Sequence, residues 1–216
     1  MKSIQLNVPS KLSEIKLSDY VKYQKVLDVN QEDEYSEVFV QQKCLEIFCG
    51  IPLMDAIKYK VTDVRKAVGI IHNTLNTQPD LVREIKIGDL ELGFIPKLDD
   101  MTFGEYVDLD TSLGKWEDMY KVMAVLYRPI KQRSGKKYII EDYKGDRYWD
   151  AMMNCPMDAV VGSMVFFWNL GNELSKAMTT YLEEEVAGDL TVNQISQLNG
   201  DGINPFKHLL NTTLLK

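Results

Sequence analysis

The residues with the best title to chemistry are five acids close together in the middle of the chain: Asp99, Asp100, Glu105, Asp108 and Asp110. Paired carboxylates serve acid–base catalysis or hold a divalent ion. The competing reading is that Asp99, Asp100 and Glu105 sit where a helix N-terminus favours negative charge. No His, Lys or Asn partner stands beside them in sequence. Catalysis would gain ground if Asp99, Asp108 and Glu141 met in a cleft with raised pKa values.

The other reactive types are sparse. Asn199-Gly-Asp-Gly-Ile-Asn204 resembles part of a calcium loop, but counting from Asp201 puts Gln197 at the first position and His208 at the twelfth. Both should be acids, so the segment reads as a turn. His72 lies beside Ile70 and Ile71, and His208 near the C-terminus, with no His or Cys at zinc spacing. Ser163, in Gly162-Ser-Met, lacks the glycines of a nucleophile elbow. No dinucleotide fingerprint or phosphate loop occurs, and Lys115 and Lys136 only follow single glycines. The expectation is a chain that is not an enzyme, with no catalytic residues, no metal and no cofactor.

Cys44, Cys49 and Cys155 are too few for a disulfide framework. Cys44 and Cys49 fall in a helical pattern among Leu45, Ile47 and Phe48, which suits buried free thiols in a reducing compartment. The chain has 216 residues, 45% hydrophobic and 26% charged, enough for one full domain. A net charge of -7 argues against non-specific nucleic-acid binding. The one basic group, Arg128, Lys131, Arg133, Lys136 and Lys137, reads as a solvated loop. The first residues hold no signal-peptide core, and the apolar run Ala159 to Phe167 is too short to span a bilayer. The reading is a soluble protein with neither a membrane nor a sequence-specific nucleic-acid partner.

The elements that must position these residues are mostly helices. Residues 3–8 alternate as a short strand stopped by Pro9. Ser18 caps a short amphipathic helix, and a second runs from about Asp33 to Cys49, stopped by Gly50 and Pro52. Thr62 caps a third, Asp63 to Leu75, with Val64, Ala67, Val68, Ile71 and Leu75 on one stripe. The period then changes to two: Ile85 and Ile87 answer Leu90 and Leu92 across Gly88-Asp89, a β-hairpin near 83–95. Thr102 and Glu105 form a capping box opening a helix of about ten residues. After Gly114, Trp116 to Leu126 form another helix, ended by Arg128-Pro129. Residues 131–145 read as a loop with a short strand at 138–141, and 146–153 as one or two helical turns. Met157 to Glu185 is the longest helical pattern, and Gly188 ends it.

The fold class expected is mainly α: a helical domain over 1–188 with a small β-hairpin, and a C-terminal extension at 189–216 that docks through Phe206, Leu209, Leu210, Leu214 and Leu215. Trp116, Met119, Tyr120, Met123 and Tyr127 share one helical stripe. Methionine and aromatic side chains re-pack easily at protein interfaces, though such a stripe also suits ordinary core.

The middle of the chain also resembles a known family. The residues that carry the likeness are Phe94-Ile-Pro, Thr102-Phe-Gly-Glu-Tyr-Val-Asp-Leu109, Trp116-Glu-Asp-Met and Met123-Ala-Val-Leu-Tyr-Arg-Pro-Ile130. It continues through Tyr138, Glu141-Asp-Tyr143, Cys155-Pro-Met157 and Gly162 to Phe167, covering roughly residues 90–185. This stretch is similar to small proteins of tailed bacteriophages, encoded among virion and tail-morphogenesis genes. The resemblance implies a virion or tail-assembly role, with the chain in the virion or in host cytoplasm during assembly. It supplies no catalytic residues.

Read physically, the same stretch describes a scaffold. Phe94 and Ile95 enter the core, and Tyr106 and Leu109 pack inward. A buried Arg128 needs a carboxylate partner, for which Asp108 and Asp110 are the candidates. The expected function is a structural component of tail, neck or baseplate that works by protein–protein contacts. The alternatives are a tail assembly chaperone absent from the mature particle and a phage regulator that binds a host protein. The partners are other phage structural proteins, with a homo-oligomer also open. The expected contact residues are Trp116, Tyr120, Met123, Tyr127 and Arg128, the Lys131–Lys137 loop, and Phe206, Leu209 and Leu210 in the tail.

Overall fold

The computed structural model describes residues 7–30, 36–98, 101–135 and 137–185. Among the described residues, eight α-helices and four strands follow in order: α1 (Leu17–Val29), α2 (Ser36–Cys49), α3 (Leu53–Ala56), α4 (Val61–Leu75), β1 (Glu84–Ile87), β2 (Leu90–Phe94), α5 (Phe103–Ser112), α6 (Met119–Leu126), β3 (Tyr127–Ser134), β4 (Lys137–Ile140), α7 (Trp149–Met152) and α8 (Met157–Glu185). The described chain is mainly helical, with one small antiparallel sheet in the order β1-β2-β3-β4.

The hairpin has the expected register, with Ile85 opposite Leu92, Ile87 opposite Leu90, and Gly88 at φ +59° in the turn. It belongs to a larger sheet than expected. β3 occupies residues read as a helix end and a loop, and pairs Tyr127 with Phe94 and Pro129 with Leu92. Pro129 argued against a strand because it has no N–H to donate. Its carbonyl still accepts from the Glu141 N–H at 2.8 Å, so only half of its pairing capacity is lost. A register shift between Ile130 and Gln132 then bends β3, and its outer half, Lys131 to Ser134, lies in solvent.

Other boundaries also move. α1 starts at Leu17 and α4 at Val61, so Ser18 and Thr62 lie inside helices instead of capping them. Trp116–Asp118 is a 3-10 turn before α6, not α-helix. Asn7 and Val8 are not in a strand. Residues 3–6 of the expected first strand lie outside the described residues, as do Asp99, Asp100, Lys136 and the extension 189–216 with Phe206, Leu209 and Leu210.

Two clusters of buried residues hold the fold. The larger gathers the start of α1, the inner face of the sheet, α5, α6 and the first half of α8. α6 is apolar nearly all round because it is enclosed: Met119, Val122, Met123, Ala124, Val125 and Leu126 are all buried. Phe94 packs edge-on against Tyr127 at 5.3 Å and Phe166 at 5.7 Å. The smaller cluster joins Tyr23 to α2, α3 and α4, and Phe48 and Leu75 touch both. The start of α1 is tied to the start of α8 by Leu17 N–H to Cys155 O and Met157 N–H to Ile15 O, each 2.9 Å.

Candidate functional site

One groove stands out for its mixture of surface types. It lies among the first half of α5, the segment Ile95–Lys97, the inner end of β3, and the run from Tyr138 to Tyr143, with a cavity volume of about 770 Å³. Its wall is α5, held by the expected capping box. The Thr102 N–H donates to Glu105 Oε2 at 2.5 Å, and the Glu105 N–H donates to Thr102 Oγ1 at 3.3 Å. This satisfies two donors that a helix start would otherwise leave open.

Glu105 does a second job. Its Oε1 accepts from Arg128 Nη1 at 2.5 Å, and both side chains are at least nine-tenths buried. Arg128 was expected to meet Asp108 or Asp110. The capping geometry decides otherwise: the third residue of α5 turns its carboxylate back toward the helix start, where the start of β3 delivers Arg128. Asp108 instead accepts from the Tyr143 hydroxyl at 2.9 Å. Burial, then this bond, pushes the Tyr143 phenol up to about 12. Arg128 Nε is buried without a hydrogen-bond partner.

The groove floor depends on a close approach. The Tyr138 ring lies over Gly93, where a Cβ would fall 2.5 Å from Cε2. The Tyr138 hydroxyl reaches the carbonyls of Phe94 at 2.8 Å and Arg83 at 3.0 Å. The ring therefore covers the bare backbone of β2, and burial raises its pKa. Over this floor stand apolar side chains in solvent: Phe103 at 81% exposure, Ile139 at 59% and Val107 at 39%. Phe103 and Val107 are one helical turn apart on α5. Tyr106, expected to pack inward, is also exposed at 43%, while Leu109 is buried.

Asp108 and Glu141 do line the same groove. The Tyr148 hydroxyl, 3.0 Å away, and Lys144 hold the Glu141 carboxyl below its usual range, the opposite of what acid catalysis asks. Asp99 lies outside the described residues. Among the described residues no group of three or more His, Cys, Asp or Glu could hold a metal ion, and no helix is long and apolar enough to cross a membrane.

The expected contact stripe turns inward. Met123 and Tyr127 are fully buried, and Arg128 is spent on its ion pair. Trp116 and Tyr120 are half-buried, packing edge-on against Tyr20 at 4.6 Å and Trp149 at 5.7 Å. The physical reason is the enclosure of α6, which leaves Met119 and Met123 as core and Tyr120 at its edge. The basic group disperses too. Arg133 bonds Glu84 and Glu91 at 2.6 and 3.0 Å across the sheet, and Lys131 meets Asp142 at 3.5 Å. Sequence reasoning missed Phe103, Val107 and Ile139 as surface. The available signal was their apolar character on elements already filled inward by Leu109 and Tyr138.

Ser163 is structural: its hydroxyl donates to the Ala159 carbonyl at 2.7 Å and lies 3.3 Å from the Tyr127 hydroxyl. His72 Nε2 pairs with the Tyr23 hydroxyl at 2.8 Å, and burial lowers its pKa. Compared with family models, curated proteins and solved structures, the chain matches none.

Proposed function

We propose that this chain is a non-enzymatic component of bacteriophage particle assembly that acts by protein–protein contact through the α5–β4 groove. The observation that carries the reading is the exposure of Phe103, Val107 and Ile139 on a capped helix and a paired strand. Apolar side chains gathered on rigid elements are what a docking surface offers. The phage assignment draws on the resemblance over residues 90–185. Part of that stretch lines this groove: Thr102 to Glu105, Val107, Asp108, Arg128, Tyr138 and Glu141 to Tyr143 all contribute to it.

The test is quantitative mass spectrometry of purified particles beside crude infected lysate, for the native chain and for Phe103→Arg. A constant ratio of the native chain to the major capsid protein, lost in the variant, supports a structural component. Abundance in lysate with absence from particles, together with failed assembly of the variant, supports the assembly chaperone instead. Normal particles lacking the chain in both cases would sink the assembly reading.

A further inference from the structure

We infer that the groove receives the C-terminal segment 203–216 of a second copy of this chain. The inference rests on the groove being a protein-docking surface and names its occupant. The first argument is charge. Glu105 and Arg128 neutralise each other inside the groove, which leaves Asp108, Glu141 and Asp142 against Lys97. Two exposed lysines answer these acids at long range, Lys144 to Glu141 at 3.6 Å and Lys131 to Asp142 at 3.5 Å. Both lysines are exposed, so each can swing aside for an incoming cation. Residues 203–216 carry Lys207, His208 and Lys216 and no Asp or Glu, in a chain whose overall charge is -7. The acid-free segment and the acid-rich groove are complementary.

The second argument is apolar content. Phe206, Leu209, Leu210, Leu214 and Leu215 crowd the segment, and Phe103, Val107, Ile139 and Ile140 line the groove that would cover them.

The third is reach. α8 continues to Glu185, about 27 Å beyond Phe167 at 1.5 Å per residue. The chain from 186 to 202 spans up to roughly 60 Å more. A neighbouring molecule is within range. Each copy then offers one groove and one tail, a heterologous contact that links molecules head to tail into rings or filaments.

A complementation experiment on the full chain tests this. Val107→Arg blocks the groove and Leu210→Asp spoils the tail, with circular dichroism confirming that each variant is folded. Sedimentation velocity should show native chain associating beyond dimers as concentration rises. Each variant alone should lose at least tenfold in apparent association. Their equimolar mixture should form dimers that stop at two, since only one intact groove and one intact tail remain. A native chain that stays monomeric overturns the inference, as do variants that associate like the native chain. A mixture that forms no dimer also overturns it, because the tail then docks on its own molecule or elsewhere. If Phe103→Arg is lost from particles while self-association is unchanged, the docking reading stands and this occupant falls.

Discussion

Glu105 and Arg128, 23 residues apart, meet in a buried ion pair at the wall of the groove, and the same carboxylate closes the N-terminal cap of α5. One side chain thus joins a local helix signal to the sheet. Removing it should cost more than an ordinary cap, because Arg128 would be left buried and charged. We expect Glu105→Ala to destabilise the fold by about 3–5 kcal/mol. Arg128→Met, which removes charge while keeping apolar bulk, should cost less, since Glu105 keeps its backbone partner. Urea denaturation of the two variants and their double variant measures this. A Glu105→Ala cost near that of a plain cap, about 1 kcal/mol, would show that Arg128 finds another partner.

Gly162 and Gly69 make a matched pair on helices. A Cβ on Gly162 of α8 would fall 2.6 Å from the Asp80 carbonyl oxygen and 3.4 Å from Leu81 Cα. Both obstacles are backbone, so neither swings aside. Gly69 of α4 has open space around its virtual Cβ. Helix propensity alone favours alanine at both, by about 1 kcal/mol. The expected outcome is opposite in sign: Gly69→Ala raises thermal stability by about 0.5–1 kcal/mol, and Gly162→Ala lowers it by about 1–3 kcal/mol through overpacking. Calorimetry on both variants decides the point; stabilisation by Gly162→Ala would mean that the 80–81 segment yields easily.

What the sequence disclosed follows the range of the interactions concerned. The Gly88-Asp89 hairpin, the Thr102–Glu105 capping box and the Gly50 stop, at φ +67°, are local, set by residues within a few positions of one another, and each forms as expected. β3 was not legible because Pro129 and its cationic neighbours oppose a strand locally. Pairing with β2, set by residues far apart in sequence, overrides them, and β4 folds back beside β3 across a short turn. The groove was half legible: Glu105 and Arg128 were both singled out, yet their pairing depends on the fold bringing the start of β3 to the start of α5. The stripe from Trp116 to Tyr127 misled for the same reason. Helical spacing tells which residues share a face, and only the packing of α6 tells that Met119 and Val122 to Leu126 are all buried.

Tyr138 tests how much the groove floor depends on one ring. Its hydroxyl has a single proton to share between the Phe94 and Arg83 carbonyls, and its ring covers Gly93. Tyr138→Phe keeps the ring and should cost about 0.5–1.5 kcal/mol for the lost bond. Tyr138→Ala uncovers β2 as well and should cost more. Amide exchange at Phe94 and Gly93 should quicken in the alanine variant and stay near native in the phenylalanine one. Equal exchange in both would mean that the hydroxyl, rather than the ring, protects the strand.

The three thiols should differ sharply in reactivity. Burial pushes Cys44 up to about 12, with Cys49 adding to the shift, and raises Cys155, which is fully enclosed by its neighbours. Cys49, at the end of α2, is half-buried, and burial raises it as well. A thiolate is the nucleophile, so a raised pKa slows alkylation at neutral pH and lets it climb as pH rises. The native chain should therefore react with iodoacetamide at Cys49 first, more slowly than a free cysteine does at pH 8. Cys44 and Cys155 should label only after denaturation. Peptide mapping after a timed pulse reads all three sites at once. Prompt native labelling of Cys44 would show that the α2–α4 cluster opens on the timescale of the pulse, since its thiol has no solvent path in the closed fold. The Cys49→Ser variant should leave a native chain that is nearly silent to the reagent, and residual fast labelling in that variant would locate the opening at Cys44 or Cys155 directly.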